Sequence, residues 1–179
     1  NTLKAIGRLE ESVFAFGKMI AMNPNYAEAY NNRANVYKEL SQNGLALSDY
    51  EQAIKLNPRY AQAHCNRGQL LAKQERYQDA IASFDQAIAI DPLYADAYTS
   101  RGSAQMELLL FEQALASHNK AIEINPNFAE AYCNRGLVLE ETKSFEEALK
   151  SYDKAISLRP DYAEAYNNRG IVLTDLRRF

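Results

Sequence analysis

Residues 61–94 read AQAHCNRGQLLAKQERYQDAIASFDQAIAIDPLY, and this stretch decides the fold because its pattern recurs along the whole chain. The only prolines, Pro24, Pro58, Pro92, Pro126 and Pro160, stand 34 residues apart. Tyr26, Tyr60, Tyr94, Phe128 and Tyr162 keep the same interval, as do Arg33, Arg67, Arg101, Arg135 and Arg169. A fixed period of this size marks a solenoid in which each unit packs on its neighbours. Slots are numbered from the third residue after each proline. Four full units then cover 27–60, 61–94, 95–128 and 129–162, with a partial unit at 1–26 and another at 163–179. The 179 residues form one repeat array, with no linker or low-complexity stretch. The chain opens mid-unit without an initiator Met and reads as a segment of a longer protein.

Within 61–94 the spacing predicts two helices. His64, Gly68 and Leu71 (slots 4, 8 and 11) share one face of the first, and Ala80, Ile81, Phe84, Ala87 and Ile88 share one face of the second. Both sets follow the 3.6-residue period. The small residues Gly68 and Ala80 let the pair approach closely, and Asp91-Pro92 closes the second helix because proline disfavours helical dihedrals in the residue before it. Asn25, Asn127 and Asp161, at slot 33, are the expected N-caps of the following helices.

An aromatic at slot 4, a small residue at 8, a large one at 11, Ala at 20, an aromatic at 24, Ala at 27 and Pro at 32 resembles the tetratricopeptide repeat. Tyr30, Ala34, Tyr37, Ala46, Tyr50, Ala53 and Pro58 match it in repeat one, and Tyr132, Gly136, Leu139, Ala148, Tyr152, Ala155 and Pro160 in repeat four. The resemblance implies an all-α, right-handed superhelical solenoid of antiparallel helix pairs. It also implies a non-catalytic scaffold that binds an extended segment of a partner protein in a concave groove.

The chemistry of the residues fits that class. Net charge is −3, which argues against nucleic acid or an anionic membrane as partner, and no apolar run approaches the ~18 residues of a membrane span. Cys65 and Cys133, two repeats apart at slot 5, are expected to be free thiols, in keeping with a reducing, cytoplasmic compartment. His64 and His118 fill core slots 4 and 24 rather than a metal site. The glycines sit singly inside helices, no nucleophile–base set is present, and neither a cofactor nor a catalytic residue is expected.

The groove of the family is lined by slots 2, 6, 9 and 13. Slot 6 reads Asn32, Asn66, Ser100, Asn134 and Asn168. An amide both donates and accepts, so it suits a peptide backbone. At ~10 Å between helices and ~3.3 Å per extended residue, one amide would serve about three peptide residues. This row resembles the one lining the superhelix of O-linked N-acetylglucosamine transferase; the alternative reading is a packing role. Asn31, Asn35 and Gln69 join the candidate contacts. Slots 2 and 13 read Glu28, Glu39, Gln62, Lys73, Asp96, Glu107, Glu130, Glu141, Glu164 and Asp175: eight acids and one base. Such a lining favours basic clients.

Relatives that grip acidic chaperone tails carry Lys at slot 5, where this chain has Asn31, Cys65, Thr99, Cys133 and Asn167, so a clamp of that type is not expected. Slot 7, commonly Leu in the family, is Arg in every copy, with slot 25 (Glu51, Asp85, Asp153) as the candidate partner. Repeat three departs most, with Gln105 at slot 11, Asn119 at slot 25, and Leu108, Leu109 and Leu110 at the turn. These leucines either form a contact patch or fold back over a gap left by Gln105. The last helix leaves Tyr166, Gly170 and Leu173 uncovered, which points to end-to-end self-association. Two rival functions stand beside the scaffold: a substrate-recruiting arm of a larger enzyme such as a protein O-glycosyltransferase, and an oligomerisation scaffold.

Overall fold

The computed structural model describes residues 2–176, with side chains from Gly7 onward. Among these residues the chain is helical throughout, with no strand. The helices are α1 (Thr2–Met22), α2 (Ala27–Glu39), α3 (Asn43–Leu56), α4 (Ala61–Lys73), α5 (Tyr77–Ile90), α6 (Ala95–Glu107), α7 (Phe111–Ile124), α8 (Ala129–Glu141), α9 (Phe145–Leu158) and α10 (Ala163–Asp175). The chain falls into two compact units, Asn1–Pro92 and Leu93–Phe179. In the first, α2 pairs with α3 and α4 with α5, while α1 lies on α2 and α3 on α4. In the second, α6 pairs with α7 and α8 with α9, while α7 lies on α8 and α9 on α10. This is the all-α repeat solenoid that the period implied.

The hairpins close on small residues. Ala46, Ala53, Ala80, Ala87, Ala114, Ala121, Ala148 and Ala155, at slots 20 and 27, are all fully buried. At slot 8 the fit is tighter still. A Cβ built on Gly68, Gly102 or Gly136 would sit 2.7, 2.7 and 2.5 Å from the ring of Phe84, His118 and Tyr152. Glycine at slot 8 is therefore the seat of the slot-24 ring. Burying a ring of this size contributes roughly 2–3 kcal/mol, so the seat carries much of each hairpin's stability.

The turn inside each repeat is a Schellman motif. Ser41, Glu75, Leu109 and Lys143, all at slot 15, have φ of 59°, 59°, 59° and 61°. The slot-16 amides reach back to slot 11, as in Leu110 N to Gln105 O at 2.9 Å, and the slot-15 amides to slot 12, as in Leu109 N to Met106 O at 2.8 Å. No slot-15 residue is the glycine that a left-handed C-cap favours. Leu109 is also 71% exposed, so its side chain returns little packing. Leu109→Gly is expected to stabilise the chain by about 1 kcal/mol, the left-handed strain of ~1–2 kcal/mol outweighing glycine's entropy cost. Thermal melting checks this, with a rise of about 3 °C.

Three expectations change. The slot-33 residues cap no helix: the N-caps are Tyr26, Tyr60, Tyr94, Phe128 and Tyr162, none with a side-chain cap bond. The polar turn chemistry sits two residues earlier, where Asn23, Asn57 and Asn125 accept from the backbone N–H of Asn25, Arg59 and Asn127 at 3.1–3.2 Å across the proline. Second, Gln105 leaves no gap. It is buried, accepting from Ser117 Oγ at 2.7 Å and donating to Gln113 Oε1 at 3.3 Å, and Leu109 and Leu110 stay exposed instead of folding over it. Third, Leu173 is not bare. It packs on the cluster of Tyr152, Leu149 and Val172, leaving Tyr166 and Ile171 as the exposed apolar residues of α10.

Candidate functional site

The slot-7 arginines lie on the slot-4 rings, with Arg33 5.6 Å from the Tyr30 centroid, Arg101 5.2 Å from Tyr98 and Arg135 5.3 Å from Tyr132. Their main partner is slot 23 of the same repeat. Arg33 grips Asp49 in a bidentate pair at 2.6 and 2.8 Å, and that carboxylate holds its guanidinium above the ordinary value. Arg67, Arg101 and Arg135 donate from Nε to Ser83, Ser117 and Ser151 at 3.1 Å. Slot 25 serves as partner where Arg169 meets Asp153 at 2.6 Å and Arg135 meets Asn119 at 3.3 Å. Glu51, expected to pair, is exposed, and among the described residues no cation lies within 4.0 Å of it. Slot 23 wins because it faces slot 7 directly across the hairpin.

The slot-6 amides are engaged between neighbouring first helices. In the first unit Asn66 donates to Asn31 Oδ1 at 3.0 Å, and Asn31 donates on to Asn32 Oδ1 at 3.3 Å. Asn31 and Asn66 are buried, at 1% and 8% exposure, and the Tyr60 hydroxyl also meets Asn31. In the second unit the half-buried Asn134 donates to Ser103 Oγ at 3.2 Å, while Asn168, buried at 9%, meets the Cys133 thiol together with Tyr162. Asn31 is thus a clasp between repeats and is withdrawn from the open surface; Asn66 and Asn168 are largely so. A polar residue buried between packed helices takes whichever partner the neighbour offers. The side chains left open on the first unit are Asn32 and Gln69, with Asn35 half-buried and accepting from Tyr50 Oη at 2.6 Å. In the second unit Ser100 is half-buried.

The flanking acids are all at the surface. Glu28 and Glu39 on α2 share the first unit with Gln62 and Lys73 on α4. The second unit has Asp96 and Glu107 on α6, Glu130 and Glu141 on α8, and Glu164 and Asp175 on α10, all exposed. Helices α6, α8 and α10 are successive neighbours, so these six carboxylates form one field. Among the described residues none of them pairs with a cation within 4.0 Å. The two stripes therefore differ: the second carries six acids and no base, the first two acids and one base.

The residues weighed for other chemistry are packed away. His64 is buried, Nε2 meeting Pro58 O at 3.0 Å, and burial lowers its proton affinity. His118 is fully buried with neither ring nitrogen bonded, and burial, with Arg135 nearby, lowers its pKa to about 4. Cys65 and Cys133 are buried and in no disulfide, and burial pushes Cys133 up to about 11, far from a reactive thiolate. Among the described residues no His, Cys, Asp and Glu cluster is arranged to hold a metal, and no helix is long and apolar enough to cross a membrane.

Family models place this arrangement. One described as tetratricopeptide repeat matches residues 31–95, and one described as TPR repeat matches 111–143 and 141–176. No curated protein matches the chain. Among solved structures, YrrB, titled a TPR protein with an unusual peptide-binding site, is 27% identical with a TM-score of 0.74, over 92% of this chain and 84% of its own. The first TPR of Spaghetti (RPAP3), bound to the HSP90 peptide SRMEEVD, is 29% identical with a TM-score of 0.63, over 65% of this chain and 93% of its own. PilF of Pseudomonas aeruginosa shares the fold at a TM-score of 0.86 and 20% identity, over 96% of this chain and 78% of its own. With both halves matched by family models and the slot-8 glycines seating the slot-24 rings, the chain belongs to the tetratricopeptide repeat family.

Proposed function

We propose that the protein is a non-catalytic interaction scaffold that holds an extended, basic segment of a partner protein along the polar faces of its first helices. The observation that carries the reading is the field of six carboxylates, Asp96, Glu107, Glu130, Glu141, Glu164 and Asp175, on three adjacent helices, none of them paired with a cation among the described residues. Acids at slot 2 alone would be accounted for by the helix N-terminus, which favours negative charge. Those at slot 13 stand near the C-terminal end, where the same dipole disfavours them, so stability does not explain them. A client cation does. In the same unit as the acids, the half-buried Ser100 and Asn134 add backbone contacts that do not read sequence.

The peptide-binding site of YrrB and the peptide bound to the Spaghetti domain support the scaffold class. The acidic HSP90 peptide of the latter does not carry over as a client, because slot 5 lacks lysine and slot 2 is acidic. The test is a selection from a random 12-residue peptide library on the immobilised chain. Enrichment of Lys and Arg is expected, with the double variant Glu130→Lys, Glu141→Lys weakening the selected peptides about tenfold or more, as for two lost charge pairs. Selected peptides without basic enrichment, or affinities indifferent to the charge reversal, would contradict the reading.

A further inference from the structure

The slot-7 guanidiniums of Arg33 and Arg169 meet carboxylates. Arg135 does not. Its Nε donates to Ser151 and its Nη1 to Asn119, both neutral, which leaves three of its five N–H groups unengaged. Burial pushes this guanidinium below its ordinary value, whereas Arg33 is held above it. The place that Asp49 takes beside Arg33, slot 23, is filled beside Arg135 by Ser151, and the place that Asp153 takes beside Arg169, slot 25 of the preceding repeat, is filled by the amide of Asn119.

Around Arg135 the helices α7, α8 and α9 form an open cavity of about 270 Å³ lined by Leu115, Asn119, Arg135, Leu139, Glu147 and Lys150. The first unit has a cavity of about 240 Å³ at the same slots, and there Arg67 and Arg76 face Glu51 and Asp79, in balance. In the second, two cations face Glu147 alone, and Glu147 forms no ion pair within 4.0 Å. One positive charge is left over in a partly desolvated site, where an ionic hydrogen bond is worth more than in water.

We propose that this cavity is a docking site for one acidic side chain, Asp or Glu, of a partner protein, its carboxylate taken by Arg135, Asn119 and Lys150 and its methylenes laid on Leu115 and Leu139. The excess charge matches a monoanion and not a phosphate dianion. The chain itself shows the pairing, since Asp153 fills on Arg169 the place, slot 25 of the preceding repeat, that Asn119 fills on Arg135. The cavity lies about half a turn round α8 from the stripe of Glu130, Asn134 and Glu141, so it stands or falls apart from the peptide reading above.

The experiment is an NMR titration of the ¹⁵N-labelled chain, following the Arg135 Nε–Hε resonance. The probes are N-acetyl-glutamic acid N-methylamide, its glutamine counterpart, acetate and inorganic phosphate. A saturable shift is expected with the glutamate compound, about tenfold weaker with the glutamine one and about fivefold weaker with acetate, which lacks the methylenes. Arg135→Gln is expected to abolish the response. Asn119→Asp restores the missing acid, so it should weaken the glutamate compound about tenfold and raise the melting temperature by about 2 °C; it also serves if Arg135→Gln fails to fold. An equal response to the glutamine compound or to acetate, tighter binding of phosphate, or unchanged affinity in Asn119→Asp would overturn the proposal.

Discussion

Acidification from pH 7 to pH 4 is expected to cost the wild-type chain about 3 kcal/mol through His118 alone, and the variant His118→Phe none of that loss. The imidazole is fully buried, neither nitrogen has a partner, and its pKa falls to about 4 with Arg135 nearby. Unfolded, it takes a proton at ~6.5. Between those values the unfolded chain binds more protons than the folded one, so stability is complete above pH 6.5 and declines as the pH falls toward 4. Phenylalanine is a safe replacement because Phe84 fills the same slot over Gly68 in repeat two, where a Cβ built on the glycine would meet the ring at 2.7 Å, as one built on Gly102 would meet His118. Removing two orphaned polar atoms should stabilise the chain at neutral pH as well, by about 2 kcal/mol. Denaturant melts of both proteins from pH 7 to pH 4 check this: the gap between them should widen with acid. A constant gap would show that His118 stays neutral in both states or finds a partner.

Gly136→Ala is expected to destabilise the chain by about 2 kcal/mol, lowering the melting temperature by about 6 °C, while Gly170→Ala stabilises it by about 1 kcal/mol. Both sit at slot 8 and both gain helix propensity. The difference is the seat. At Gly136 the new methyl would meet three ring atoms of Tyr152 at 2.5–2.8 Å, and that ring is fully buried; at Gly170 nothing lies within 4 Å. Repeat one shows how a methyl at slot 8 is accommodated. Above Ala34 the Tyr50 hydroxyl bonds slot 9, Asn35, whereas Tyr152 above glycine bonds slot 12, Glu140, at 2.9 Å. Repeat four has Leu137 at slot 9, so a displaced Tyr152 would lose its acceptor. Paired thermal melts of the two alanine variants, read for opposite signs, are the check.

Much of this was legible in the sequence because the repeats print each slot several times. Proline spacing located the end of each second helix and the start of the next first helix to within a residue or two, and the small residues Gly68 and Ala80 marked the close approach of the helix pair. The Asx turn was legible too, since slot 31 reads Asn23, Asn57, Asp91 and Asn125 before Arg159 breaks the row. The partners of the polar rows were harder. Asn66 finds Asn31, 35 residues away, and Arg67 finds Ser83 across a hairpin, and no periodicity distinguishes slot 23 from slot 25 as the acceptor. The hydroxyl or carboxylate that recurs at slot 23 (Asp49, Ser83, Ser117, Ser151) was the available signal. The buried state of the amide row was not visible at all. An asparagine suits a groove and a clasp equally, and only the distance between neighbouring first helices decides between them.

The central claim is that a client lies on the polar faces of the first helices, and site-specific photocrosslinking tests it most directly. A benzophenone side chain would be placed singly at Asn32, Asp96, Glu130 and Glu164 on first helices, and at Gln86, Lys120 and Lys154 on second helices. Each variant would be irradiated with a library-selected basic peptide. Adducts are predicted from the first-helix positions, strongest at 96, 130 and 164 where the acids are unopposed, and none from the second-helix positions. Adducts formed chiefly from 86, 120 or 154 would place the client elsewhere and contradict the account.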